Sequence, residues 1–180
     1  MPEIVVYVWR PSGDYVGHSS LQLNDGTYIS WWPEKECGPT NPRSKAAPND
    51  SLENDIEAEG NRQPHAYRIK ISSEEQNAIV RWWTNFKAKA DYQFISNNCS
   101  TVAYYAQEAA FPFLSKLNDE IPVWVPGAIE MVAQDLAAGK RSFDQKRIDE
   151  IKKAVGDEVK RISGGKKNAN SFKVGYKGRK

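Results

Sequence analysis

Cysteine is almost absent from this chain of 180 residues: Cys37 and Cys99 are the two it has. That scarcity excludes a disulfide-dense scaffold and any four-cysteine zinc site. A Cys37–Cys99 bond could form, but Cys37 stands in a Pro/Gly/Asn-rich stretch while Cys99 opens a segment patterned as buried helix. Histidine is equally scarce, with His18 and His65 alone. The His and Cys positions match no zinc-ligand spacing, so no metal and no other cofactor is expected. No apolar run approaches the roughly 18–20 residues a membrane span requires. The N-terminus, MPEIVVYVWR, lacks a basic segment followed by a long apolar stretch and a small-residue cleavage pattern. The expectation is a product made in the cytoplasm without a secretory signal. A phosphate-cradling glycine loop is missing too. ISGGKK has neither the spacing nor the strand-to-helix setting of a P-loop, which removes nucleotide hydrolysis.

What is present is aromatic. Six Trp, eight Tyr and six Phe can each bury about 150–250 Å², and a chain of this length buries roughly two thirds of its unfolded surface. A real core is therefore within reach. The net charge of +2 hides an asymmetry: residues 140–180 hold 14 Lys/Arg against 5 Asp/Glu, and the preceding part holds 11 against 18. This divides the chain into a main domain at 1–139, a charged amphipathic helix at 140–163 and a basic tail at 164–180. The tail has the composition of a solvated terminus, so nucleic acid is not an expected partner.

Residues 4–9 are β-branched and aromatic and form a first strand, stopped by Pro11 and Gly13. GHSSLQLNDGTYISWWP then alternates and turns at Asn24-Asp25-Gly26, predicting a hairpin into residues 28–32. Its alternation puts His18, Ser20 and Gln22 on one face, read as the polar side away from the core. Residues 33–64 are rich in Pro, Gly, Asn, Asp and Glu without periodicity, predicting a long loop or lid, with the acidic stretch 51–59 solvated. Another strand is expected at 66–71, followed by a capping box at Ser72 and Glu75. The next helix carries Ile79, Trp82, Trp83 and Phe86 on one stripe. Further helices are predicted from Asn98 to before Pro112, over 127–138 and over 143–162. The last is read as a surface helix with Ile148, Ile151, Val155, Val159 and Ile162 on its apolar stripe. The pattern is α+β.

Within YQFISNNCSTVAYYAQEAA, Cys99 falls in the first turn of a helix. Unpaired N–H groups and a partial positive charge at such an end stabilise a thiolate and can hold an oxyanion. A thiol nucleophile wants a base, and both histidines precede Cys99. His18 is preferred because it opens the polar face of a strand directly after Gly17; His65, beside Pro64 at the end of the loop, is the weaker candidate.

The run Asn98-Cys99-Ser100-Thr101-Val102-Ala103-Tyr104-Tyr105 resembles the nucleophile helix of the NlpC/P60 and papain-like cysteine hydrolase superfamily. Gly17-His18 followed by DGTYISWWP resembles the histidine hairpin of its circularly permuted branch, in which His precedes Cys. The resemblance spans about residues 4–115. It implies an antiparallel sheet packed against helices, with the nucleophile at a helix N-terminus. It also implies a polar residue that orients the histidine from the next strand; Ser30 occupies the matching place and Glu34 lies just beyond. Asn98, Ser100, Gln22 and Tyr92 are the candidate substrate- and oxyanion-binding side chains.

The implied function is a thiol-dependent amide hydrolase, acting on a peptide or peptidoglycan-like substrate as an amidase, endopeptidase or protein-modifying protease. By analogy with family members that lack a signal peptide, such a chain would be a monomeric effector or toxin carried by a specialised secretion system, with an immunity or delivery protein as partner. Deamidation and acyl transfer use the same Cys-His pair and stay open. So does a binding module in which Cys99 and His18 are packing residues and the Trp-rich surface engages a partner.

Overall fold

The computed structural model describes residues 1–38 and 40–164; the expected basic tail, from residue 165 on, lies outside them. β-Branched and aromatic side chains build β1 (Glu3–Trp9), and the alternating stretch after Gly17 builds β2 (His18–Leu23). The Asp25 carboxylate accepts from the Thr27 N–H at 2.9 Å and tightens the turn into β3 (Tyr28–Ile29). The chain continues through β4 (Arg43–Ser44), α1 (Leu52–Ala58) and β5 (His65–Lys70) to α2 (Ser73–Lys87). After β6 (Tyr92–Gln93) come α3 (Cys99–Ala110), a 3-10 turn at Pro112–Leu114, α4 (Ser115–Asn118), α5 (Pro126–Ala137) and α6 (Gln145–Gly164). The capping box is formed: Ser72 Oγ accepts from the Glu75 N–H and Glu75 Oε2 accepts from the Ser72 N–H.

The architecture is α+β. An antiparallel sheet in the order β3-β2-β1-β5 packs against helices, and β4 pairs with β6 in a separate two-stranded ribbon. One sheet face, carrying Ile4, Val6, Val8, Leu21 and Ile69, meets α3 and α5, and α2 packs against α3 to complete the main core. The opposite face carries Val5, Tyr7, Trp9 and Tyr28 and is covered by Leu52 and Ile56 of α1. Register places Tyr7 opposite Ser20 and Trp9 opposite His18, so His18 shares this second face. No helix among the described residues is long and apolar enough to cross a membrane.

Three expectations change. The polar face of β2 is not turned to solvent: His18 and Ser20 are buried, because α1 closes over them. Residues 33–64, expected as a loop or lid, contain a strand and a helix, and 51–59, expected to be solvated, contains that helix. Ser51 caps α1 by accepting from the Asn54 N–H at 3.2 Å, and the spacing of Leu52 and Ile56 supplies an apolar side. Helix α6 is more than a surface appendage. Ile151 and Val155 enter the main core, and Glu158 Oε2 accepts from the Gly127 N–H at the start of α5 at 2.9 Å; only Val159 of its expected stripe is exposed.

Core membership of α6 is checked by truncation. Ile151→Ala should destabilise the protein by about 2–5 kcal/mol in denaturant unfolding, whereas Val159→Ala should stay within about 0.5 kcal/mol.

Candidate active site

Asp55 stands one helical turn from Leu52 and beside Ile56, on the side of α1 that faces the sheet. Its carboxylate is fully buried, and five donors converge on it. Ser30 Oγ (2.8 Å), Trp32 Nε1 (2.7 Å) and Asn49 Nδ2 (2.8 Å) donate to Oδ1. The Tyr28 hydroxyl (2.6 Å) and His18 Nε2 (3.2 Å) donate to Oδ2. Burial would push this carboxyl up; the His18 charge and the converging hydrogen bonds outweigh it and hold Asp55 below the ordinary carboxylate value. Tyr28 in turn accepts from Ser20 Oγ at 2.8 Å, so two of the three outward-read polar residues of β2, His18 directly and Ser20 through Tyr28, feed the same anion.

His18 Nε2 is shared between Asp55 and Ser30 Oγ, which lies at 3.0 Å. Because Ser30 donates its own hydrogen to Asp55, it accepts from the ring. That arrangement fixes a proton on Nε2 and leaves Nδ1 outside this pairing. Cys99 also acts on His18 and favours its charged form. Burial disfavours the charged ring, but Asp55 and Cys99 together overcome it and raise His18 to about 10. Trp32 stacks on the imidazole with centroids 4.1 Å apart, and Trp9 flanks it at 5.6 Å.

Two local features bring the strand and helix ends together. Gly17 has φ +85° and sits so close to β1 that a Cβ there would lie 2.3 Å from the Trp9 carbonyl oxygen; only glycine allows the chain to enter β2 at this angle. One residue further along, Ser19 Oγ meets Ser100 Oγ at 3.3 Å, which seats the first turn of α3 against the start of β2. A second brace is Arg62. Its guanidinium pairs with the buried Glu59 carboxylate at the end of α1, donates to the Arg10 carbonyl at 2.9 Å and lies over the Tyr15 ring, while its carbonyl accepts from Trp9 Nε1 at 2.8 Å. Arg62 thus ties the helix holding Asp55 to the strand end beside His18.

The structure sorts the other expected residues. Ser30 touches His18; Glu34 is exposed and does not, because its backbone pairs with Lys45 and turns the side chain to solvent. The Asn98 side chain is occupied as the α3 N-cap: Oδ1 accepts from the Thr101 N–H at 2.9 Å, and Nδ2 donates to the Phe94 carbonyl at 3.0 Å. Ser100 is committed to Ser19. Gln22 accepts from the Tyr7 hydroxyl at 3.0 Å and lies four residues along β2 from His18, roughly 13 Å away. Tyr92 is buried, and Cys99 acts on its phenol. Burial, with the charges of Cys99 and Cys37, raises Tyr92 well above the usual phenol value, so it keeps a hydrogen to donate. His65 is exposed and bonds Glu130 of α5 at 2.5 Å, a different cluster. Both thiols are free, and no group of His, Cys, Asp and Glu suited to a metal occurs among the described residues.

Asp55 lies outside the expected set because an acidic stretch of this composition carries the local signature of a solvated loop. The available signal was the Ser51 cap with Leu52, Asp55, Ile56 and Glu59 at helical spacing, which places two acids on the buried side.

Residues 46–131, just under half of the chain, match a family model described as the Lnb N-terminal periplasmic domain. The matched span runs from just before α1 into α5, so it contains Asp55 and Cys99 and excludes His18. No curated protein and no solved structure matches the chain.

The His18–Asp55 pair should leave a mark on stability. His18 is raised above its ordinary 6.5, so its contribution is complete below that value and is lost as pH climbs towards about 10. Asp55 is lowered from 3.8, so its contribution is complete above that value and is lost on further acidification. The pair stabilises most between 3.8 and 6.5. Asp55→Ala should destabilise by about 3–5 kcal/mol within that interval, since it strands buried donors and a charged ring. The difference from wild type, measured by denaturant unfolding, should shrink on both sides.

Proposed function

We propose that this chain is a cysteine-nucleophile acyl-transfer enzyme whose working group is Cys99–His18–Asp55, in a permuted papain-like arrangement related to NlpC/P60 hydrolases. One observation carries the reading: a single buried imidazole has one nitrogen bonded to a five-donor carboxylate and interacts with a thiol at a helix N-terminus. A packing histidine needs no such carboxylate. A cysteine nucleophile's base does, because the imidazolium formed when it takes the thiol proton must be stabilised away from water.

The chemistry follows from the parts. The thiolate attacks a carbonyl carbon, forming the C–S bond and sending the C=O π pair to oxygen. Backbone N–H groups in the first turn of α3, which begins at Cys99, are the donors this reading assigns to that oxyanion. Collapse expels the amine, which takes the proton from His18, and leaves a thioester. His18 then takes a proton from the acceptor as that acceptor attacks the thioester carbonyl, and collapse breaks the C–S bond and expels the Cys99 thiolate beside the recharged ring. With water as acceptor the result is amide hydrolysis, the first choice here. Asp55 holds His18 with Nε2 protonated and favours its charged form at every proton transfer. Deamidation and transfer to another acceptor differ only in leaving group and acceptor.

The description of the matching model as a periplasmic domain favours an extracytoplasmic setting, and peptidoglycan is the amide-rich polymer within reach there. The test has two stages. Iodoacetamide should label Cys99 at neutral pH faster than free cysteine and far faster than Cys37, whose thiol burial pushes up. Purified peptidoglycan and protein extracts should then show a mass change with wild type that Cys99→Ala abolishes and His18→Ala lowers by about 10²–10⁴-fold in rate. Cys99 labelling no faster than free cysteine would remove the nucleophile and leave a binding module.

A further inference from the structure

Buried carboxylates in this fold differ in how many donors reach them. Asp55 has five. Glu130 of α5 has three: His65 Nδ1 at 2.5 Å and the Tyr67 hydroxyl at 2.7 Å on Oε1, and Arg10 Nη1 at 3.0 Å on Oε2. Burial pushes Glu130 up, but the His65 and Tyr67 hydrogen bonds and the Arg10 charge outweigh it and hold the group below its ordinary value. Glu158, near the end of α6, is as deeply buried and has one donor, the Gly127 N–H at 2.9 Å on Oε2. Its Oε1 has no hydrogen-bond partner among the described residues. The Arg10 guanidinium is committed to Glu130, and its Nε stays 4.0 Å from Glu158 Oε1.

That single contact sits at a crowded place. A Cβ at residue 127 would lie 2.7 Å from both Glu158 Oε2 and Arg10 Nη1, so glycine is what lets the start of α5 receive this carboxylate. Pro126, one residue earlier, abuts Gly17, where a Cβ would lie 3.1 Å from Pro126 Cγ. Three residues beyond Glu158, Arg161 Nη1 donates to the Pro11 carbonyl at 3.1 Å. The end of α6 is thus fastened to the corner where β1 ends and β2 begins with His18. We propose that Glu158 is a proton-operated latch: neutral, it fastens the end of α6 to this corner; ionised, it loosens that end. The reason is solvation. A neutral carboxyl still accepts from the Gly127 N–H and buries no charge, whereas the ionised group leaves Oε1 without the donors that water would supply once the end of α6 lifts away. The charged and titratable groups facing it are Arg10 from the end of β1, Glu130 from α5 with His65 and Tyr67 of β5 bonded to it, and Arg161 from α6 itself. Burial is the largest influence and Glu130 adds to it; Arg10, the Gly127 N–H and Arg161 oppose them without prevailing, and Glu158 is raised above its ordinary 4.5. The contribution of the latch is therefore complete below 4.5 and is lost as pH rises through the raised value. It operates whether or not Cys99 performs acyl transfer.

The test is amide hydrogen exchange in the last two turns of α6, corrected for intrinsic rates and referred to α3. Wild type is compared with Glu158→Gln, which keeps an acceptor for the Gly127 N–H and has no proton to lose. The pH runs from 4.5, the ordinary value of Glu158, to 6.5, over which the His18–Asp55 pair stays at full strength. Protection in wild type should match Glu158→Gln at the acidic end and fall progressively below it as pH rises. The wild-type profile read against α3 should show the same fall, so the test does not depend on the variant folding. In parallel, the Glu158 carboxyl carbon of wild type, followed by NMR, should titrate with a midpoint above 4.5. A wild-type to Glu158→Gln ratio that stays flat while Glu158 titrates overturns the latch, because the proton then comes and goes without moving α6. A ratio that rises with pH would mean that Arg10 clamps the ionised group and overturns it too, as does a midpoint at or below 4.5.

Discussion

The arrangement described above depends on one buried negative charge. A carboxylate removed from water is heavily penalised unless its lone pairs are filled, and Asp55 fills them with five donors drawn from β2, β3, the residues after β3 and the approach to α1. Each donor is an address. Tyr28, Ser30 and Trp32 come from one side of the hairpin end, Asn49 from the loop and His18 from β2, so the anion draws the hairpin, the loop and the short helix into one position. A seven-residue helix is too short to be stable alone; this one persists because its buried side carries both the apolar contacts and this hub.

The same hub decides the state of His18. Burial alone would keep the ring neutral, as it does for most buried imidazoles. With Asp55 on one nitrogen and Cys99 as the other neighbour, the charged ring wins. Aromatic walls at Trp9 and Trp32 fix its plane and exclude water, which strengthens the ionic terms that favour the charge. Arg62 extends the brace outward, holding the end of α1 through Glu59 and the end of β1 through Arg10 and Trp9. Stability and site geometry are here one network.

Much of the fold was legible from local pattern. The strands at 4–9 and 66–71, the hairpin at His18, the capped helix after Ser72 and the helix opening at Asn98 follow from alternation, turn residues and caps, all properties of a few consecutive side chains. Cys99 and His18 stood out because thiols and imidazoles are so few. The oriented partner did not. Ser30, at the place the resemblance marks on the next strand, does touch His18, but Glu34, just beyond it, turns to solvent. Asn98, Ser100 and Gln22 are polar residues near the site in sequence whose hydrogen bonds are already committed to Thr101, Ser19 and Tyr7.

What the sequence alone determined, then, is the set of elements and the identity of the scarce reactive groups, because helix and strand preferences and functional-group chemistry are carried by residues within a turn or two of each other. Only the tertiary structure decided which acid serves the histidine, that the polar face of β2 is covered, and that α6 belongs to the core. Those outcomes depend on how α1 and α6 dock, and docking is set by burial between segments far apart in the chain. Asp55 stands 37 residues from His18 and 44 from Cys99, and no local rule links a carboxylate in an acidic stretch to an imidazole across that distance.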